Sequence, residues 1–165
     1  LLASLATFQK KGRAMTWATE RLEAIRSGAG ALPPIVEQLR LGRLDAWGEG
    51  WVRKTWAPHP SLDTADGSLF GGYIAALADQ ALAFAAMTVI PDDRLYRTTQ
   101  LQVSFLRVGR NAPVEISAQV IAVTRQMISV RASFVQSGDR LIAEASAQQI
   151  ILPMGAPAEV PQAAS

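Results

Sequence analysis

The sequence predicts an α+β domain in which a curved antiparallel sheet of about five to six strands wraps one central helix. Three observations carry that expectation. Residues 69–90, LFGGYIAALADQALAFAAMTVI, are apolar on all sides and hold one charged side chain, Asp79; a helix apolar all round must be covered on every side. Residues 95–152 then fall into four strand-like runs separated by Gly109-Arg110-Asn111, Thr124-Arg125-Gln126 and Ser137-Gly138-Asp139, connections short enough for an antiparallel meander. Finally, the 165 residues are 49% hydrophobic and only 18% charged, which suits one domain with more buried surface than usual and a further face to bury in an oligomer.

The elements follow in order. Residues 1–15 carry no periodic pattern and read as a loose leader; the opening LLASLATF is apolar but short, without the basic start of a signal peptide. Residues 16–26 read as an amphipathic helix, with Trp17, Leu22 and Ile25 on one side and Glu20, Arg21 and Glu23 interleaved. Ser27-Gly28-Ala29-Gly30 stops it, and Pro33-Pro34 opens a second helix to about Leu41. Residues 47–56, WGEGWVRKTW, read as one strand weakened by Gly48 and Gly50. The loop HPSLDTADGS follows at 59–68, dense in turn-forming residues. The central helix runs from about Gly71 to Thr88 and ends at Pro91-Asp92-Asp93. Strands follow at 95–107, 113–123, 127–136 and 141–152; in the first, Leu101, Val103 and Phe105 face one way and Gln100, Gln102 and Ser104 the other. The Pro- and Ala-rich residues 153–165 read as a disordered tail. The division is therefore leader and short helices at 1–43, the sheet-and-helix domain at 44–152, and a tail at 153–165. The sheet covers one flank of the helix, and the N-terminal helices or a second subunit must cover the other.

Composition narrows the chemistry. Without cysteine there is no disulfide, thiolate or zinc–thiolate site. His59 is the only histidine, so histidine-dependent catalysis is confined to position 59, which lies in a Pro-flanked loop and reads as a surface residue. A net charge of +2 with no Lys/Arg-rich run argues against a nucleic-acid partner. Residues 69–90 are long enough to span a bilayer, but Asp79 and Gln80 near the middle favour a buried helix, no membrane partner and a cytoplasmic protein. Gln80 points to a different helix face from Asp79 and reads as a hydrogen bonder at an interface.

Asp79 and Gly71-Gly72 together point to a hydrolytic site. A carboxylate in so apolar a segment is expensive to bury unless something pairs with it or uses it, and burial strengthens it as a base. The first N–H groups of a helix lack partners and lie at its positive end, where they can meet the oxyanion of an attacked carbonyl.

Three motifs extend this reading: Gly67-Ser68-Leu69-Phe70-Gly71-Gly72, Leu77-Ala78-Asp79, and Thr98-Thr99-Gln100-Leu101-Gln102-Val103-Ser104-Phe105-Leu106-Arg107. In order and spacing they resemble the G-x-x-H-G-G turn, helix acid and F-L-R-P strand end of hotdog-fold thioesterases of the phenylacetate-pathway, PaaI-like, kind. The resemblance covers about 44–152 and implies hydrolysis of an acyl-CoA thioester to a carboxylic acid and CoA. It requires no metal or redox cofactor, CoA arriving as part of the substrate. It assigns Asp79 as general base or nucleophile, the Gly71 amide as carbonyl polariser, and Thr98 as a holder of the water. Because the family takes the acid and the carbonyl-binding elements from opposite subunits, it implies a homodimer or a dimer of dimers.

Candidate substrate contacts are Phe70, Gly72, Thr64, Tyr73 and Phe84, with Arg107 toward the CoA phosphates, a role open also to Arg110, Arg125 and Arg131. Two positions depart from the family pattern: Phe70 stands where a histidine commonly supports the leaving thiolate, and Thr64 where many members have a carbonyl-polarising asparagine. Those departures keep open a non-catalytic acyl-CoA or hydrophobic-ligand binding protein of the same fold. Hydratase relatives need a histidine five residues beyond the acid, where this chain has Phe84.

Overall fold

A computed structural model describes residues 15–155. The leader read for 1–15 and the tail read for 153–165 lie outside the described residues except at Met15 and at 153–155.

Thr16 opens helix α1 (Trp17–Ser27): its hydroxyl accepts the Thr19 N–H while the Thr19 hydroxyl accepts the Thr16 N–H, so two helix-start donors are satisfied reciprocally. Gly28, at φ 79°, ends the helix in the left-handed conformation that glycine adopts without strain. Helix α2 (Pro34–Gln38) is only five residues, shorter than the helix expected to Leu41. The chain breaks away there, with Arg40 and Gly42 at positive φ, and Leu41 and Leu44 turn into the core.

The single strand expected at 47–56 is a hairpin. Strands β1 (Ala46–Gly48) and β2 (Trp51–Trp56) pair with Gly48 opposite Trp51, leaving Glu49-Gly50 as the turn and Gly50 at φ 80°. Two glycines in WGEGW mark a reversal, not a weak strand.

Helix α3 (Gly71–Met87) packs on a six-stranded antiparallel sheet completed by β3 (Arg94–Phe105), β4 (Val114–Val123), β5 (Met127–Gln136) and β6 (Arg140–Pro153). The order is β1-β2-β4-β5-β6-β3. Only β4, β5 and β6 form the expected meander. β2 takes one edge of β4, from Trp51 opposite Gln119 to Trp56 opposite Val114, so β3 adds instead to the free edge of β6. The connection after β3 crosses the end of the sheet, tied by the Leu106 and Arg107 N–H groups to the Ile142 carbonyl and by the Leu69 N–H to the Gly109 carbonyl.

The core lies between α3 and the concave face of the sheet. Leu77, Ala81, Leu82 and Ala85 of the helix meet Ile116, Ile128, Phe134 and Ile142 of the sheet, all essentially inaccessible. One cation is buried with them. Lys54 donates from Nζ to Gln80 Oε1 at 2.6 Å and to the Leu41 carbonyl, while Gln80 Nε2 donates to the Gly42 carbonyl at 3.3 Å. Burial lowers the Lys54 pKa to about 8, partly offset by Asp45. Gln80 is therefore an internal lock between α3 and the segment after α2, 7% exposed, and not the interface hydrogen bonder expected. No helix among the described residues is long and apolar enough to cross a membrane.

Candidate active site

Asp79 projects from the outer flank of α3 toward β3. Its Oδ1 accepts the Thr98 hydroxyl at 2.9 Å. Thr98 sits where the β3–β6 register slips between Thr98 and Gln100, a bulge of the kind that re-aims a side chain. The same hydroxyl lies 3.0 Å from Oε1 of Gln149, a fully buried residue of β6. The expectation of a buried Asp79 is corrected here. In the single chain the residue is exposed; it occupies the flank of α3 that the sheet leaves open.

Beside this pair opens a largely apolar groove of about 540 Å³, with Phe84 and Met87 of α3 on one side and Trp17, Ile25, Ile35 and Leu39 on the other. The N-terminal helices thus wall the groove. Trp17 anchors α1 there, its N–H donating to Asp92 Oδ1 at 2.8 Å and its indole N–H to the Arg94 carbonyl at 3.1 Å.

The other end of α3 presents the second half of the predicted site. Phe70 supplies no side-chain cap, and the first main-chain bonds run from the Tyr73 and Ile74 N–H groups to the Phe70 carbonyl. The Gly71 and Gly72 N–H groups have no acceptor among the described residues. Gly71 opens on a separate cavity of about 370 Å³ that it shares with Phe105 and Arg107. A β-carbon at Gly71 would stand 3.2 Å from the Phe105 ring. Eight residues of helix separate Gly71 from Asp79, roughly 12 Å of rise. A single chain does not bring the acid and the amide together.

The remaining candidates divide between these places. Phe84 lines the Asp79 groove. Phe70 is 59% exposed, with its ring lying over Gly72. Tyr73 stacks on Trp56 at 5.3 Å, away from the groove, and burial pushes its phenol pKa up. Thr64 is absorbed by its own loop: its hydroxyl bonds Asp66 and Ser68, and the hydroxyls of Ser68 and Thr64 lower the Asp66 pKa to about 2. Arg107 donates to the Leu141 carbonyl at 2.8 Å, and Arg110 holds the Thr64 loop through the Asp66 carbonyl at 3.0 Å. His59 caps the 3-10 turn Pro60–Leu62 from the surface, accepting the Ser61 N–H. The sequence reading does not include the N-terminal wall or Gln149. Gln149 carries a visible signal, being polar at an inward position two residues beyond the inward Ala145 and Ala147.

Residues 66–143 match the model of the thioesterase superfamily. The match takes in α3, β3, β4, β5 and the start of β6. The curved sheet around α3 is the hotdog fold, and the superfamily match supports thioester hydrolysis as the general reaction. Solved structures that share the fold include the following three. A phenylacetic acid degradation-related protein from Ralstonia eutropha is 21% identical over 78% of this chain and 98% of its own, with a TM-score of 0.70. A thioesterase family protein from Silicibacter pomeroyi is also 21% identical, over 80% and 98%, at 0.70. A thioesterase from Haemophilus influenzae is 18% identical over 82% and 92%, at 0.71. No curated protein matches the sequence. The superfamily match begins after α2, so the helices that wall the groove lie outside it.

Proposed function

We propose that this hotdog domain is an acyl-CoA thioesterase of the PaaI-like kind, with Asp79 as the acid that activates water. The observation that carries the proposal is the Thr98–Asp79 hydrogen bond at the edge of an apolar groove. With Thr98 donating to Oδ1, Oδ2 is left to take the proton of a water, whose oxygen attacks the thioester carbon. The acyl group lies in the groove, whose volume falls in the usual range for small-ligand sites. The tetrahedral oxyanion meets the Gly71 amide at the positive end of α3, a contact worth about 3 kcal/mol in comparable sites. The intermediate then collapses, the carbon–sulfur bond breaks, and CoA leaves. A thiol of pKa about 8.5 departs readily as thiolate, so Phe70, which has no donor to offer, does not block this step. No metal or redox group is needed.

Because Gly71 and Asp79 of one chain open on different cavities, the reading requires a second copy whose Gly71 faces this Asp79. The exposed β3 edge supports such pairing. It carries Leu101 at 37% and Phe105 at 57% exposure, with Leu106 just beyond it at 46%, and a long apolar edge strand left open invites a partner strand. A dimer, or a dimer of dimers, follows.

A thiol-release assay across short, medium, long and aryl acyl-CoAs tests the proposal. Turnover of at least one class supports it. Binding without turnover across the panel favours the rival reading, a non-catalytic acyl-CoA binder, which is motivated by the donor-less Phe70 and by the Thr64 hydroxyl already spent on Asp66 and Ser68. The position of the acyl group is tested separately. Ala83 lines the groove, and Ala83→Phe should fill it, lowering kcat/KM for the preferred medium or aryl acyl-CoA by about tenfold or more while sparing acetyl-CoA. Equal losses on both substrates would place the acyl group elsewhere.

A further inference from the structure

We propose that Gln149 is a positioning residue for Asp79, acting through Thr98; this rests on the reading of Asp79 as the acid. Three facts carry it. Gln149 is completely buried in β6, directly opposite Thr98 of β3. The Thr98 hydroxyl stands 2.9 Å from Asp79 Oδ1 and 3.0 Å from Gln149 Oε1, two acceptors for one proton. Gln149 Nε2 is buried with no hydrogen-bond partner, an arrangement that buried amides rarely keep.

These facts fit a proton whose position follows the state of Asp79. An ionised carboxylate is the stronger acceptor, so Thr98 then gives its proton to Oδ1. Gln149 Oε1 is left facing an oxygen with no hydrogen between them. A half-turn of the amide brings Nε2 against the Thr98 oxygen, and the bonds run Gln149 N–H to Thr98, Thr98 O–H to Asp79. Once Asp79 has taken the proton of the attacking water, the direction reverses. With the proton on Oδ2, Oδ1 of the neutral acid is the weaker acceptor, and Thr98 turns its own proton to Gln149 Oε1. An amide carries both a donor and an acceptor, which is what both states require at this position. Gln149 thereby keeps Thr98 aligned and Asp79 Oδ2 aimed at water before and after proton transfer.

The test is a double-mutant cycle on kcat. Gln149→Met, of similar length and without polar atoms, should lower kcat by about tenfold with KM unchanged, the worth of one hydrogen bond. Thr98→Val should do the same, and the double variant should be no slower than Thr98→Val alone, because Gln149 acts only through that hydroxyl. Multiplicative losses, or a Gln149→Met enzyme at full kcat, would overturn the inference. Should Gln149→Met fail to fold, nitrogen-15 spectra of glutamine-labelled wild-type protein decide. The Gln149 side-chain amide should move on acid titration and stay still in Asp79→Asn; movement in both proteins, or in neither, overturns it. If Asp79→Asn keeps its activity, the assignment of the acid fails. If Asp79→Asn is inactive and Gln149→Met is unaffected, only the role of Gln149 fails.

Discussion

Asp79→Asn is expected to lower kcat for thioester hydrolysis by at least about a hundredfold, the usual weight of a positioned general base, while leaving fold and oligomeric state intact. Asparagine is nearly isosteric and keeps an oxygen able to accept the Thr98 hydroxyl, so the 2.9 Å contact between α3 and β3 survives. What is lost is the capacity to take a proton from water. KM should change little, because Asp79 lies at the groove edge and not among the apolar residues proposed to hold the acyl group. Hydrolysis at the wild-type rate would eliminate Asp79 as the acid. A collapse of the oligomer would mean that its charge serves assembly instead.

Gln80→Leu should have the largest effect on stability, about 3 kcal/mol, although Gln80 neighbours Asp79 in sequence. The substitution removes the side-chain acceptor of a buried cation and leaves Lys54 Nζ with the Leu41 carbonyl alone; stripping one partner from a buried charge is strongly destabilising. For a chain of this length the melting temperature should fall by about 10 °C. The pH dependence follows from Lys54, whose folded pKa is lowered from its ordinary 10.5 to about 8. Below about pH 8 both folded and unfolded states hold the proton, and the cost of the buried charge is present in full. From there toward 10.5 the unfolded state binds more protons, so the Lys54 contribution to wild-type stability rises with pH. Losing Gln80 drives that pKa lower still. The deficit of Gln80→Leu is therefore largest at acidic pH, where Lys54 is charged in both proteins, shrinks as pH rises toward about 8, and levels off above it, where Lys54 is neutral in both. Adding Lys54→Met should recover part of the loss, since no ammonium then remains buried. Thermal melts from pH 6 to about 10 check this, and an unchanged melting temperature in Gln80→Leu would remove the lock. Because Gln80 points about 100° around α3 from Asp79 and bonds Lys54 and the Gly42 carbonyl rather than Thr98, kcat at low temperature should survive.

Local pattern carries most of the architecture. The all-round apolar stretch yields α3, and alternation yields β4, β5 and β6 close to their observed bounds. Partner choice is a different matter. The alternation of β3 is the same whichever strand it joins, and its place beside β6 follows from β2 having taken β4. The hairpin at Glu49-Gly50 turns on one positive φ. Asp79 shows the same limit at a site: periodicity marks a lone charge on an apolar helix without saying which flank the sheet leaves open. The Thr98–Asp79 pairing joins two of the sequence candidates in space, whereas Thr64 and Tyr73 are drawn into contacts of their own. Trp17 and Ile25 read as one face of a short helix, and nothing in that pattern names the groove they enclose.

The groove's outer wall, built by α1 and the segment around α2, has a consequence for how such proteins diversify. It is anchored to the hotdog domain partly through Trp17, at Asp92 and Arg94, and contributes no strand to the sheet. The superfamily match begins only at residue 66. Selection can therefore reshape the wall almost independently of the fold, since a new side chain at Ile35 or Leu39 alters the cavity without asking the sheet to repack. On the proposed assignment of the groove, acyl preference can drift from one descendant to the next while Asp79, Thr98 and the start of α3 stay as they are.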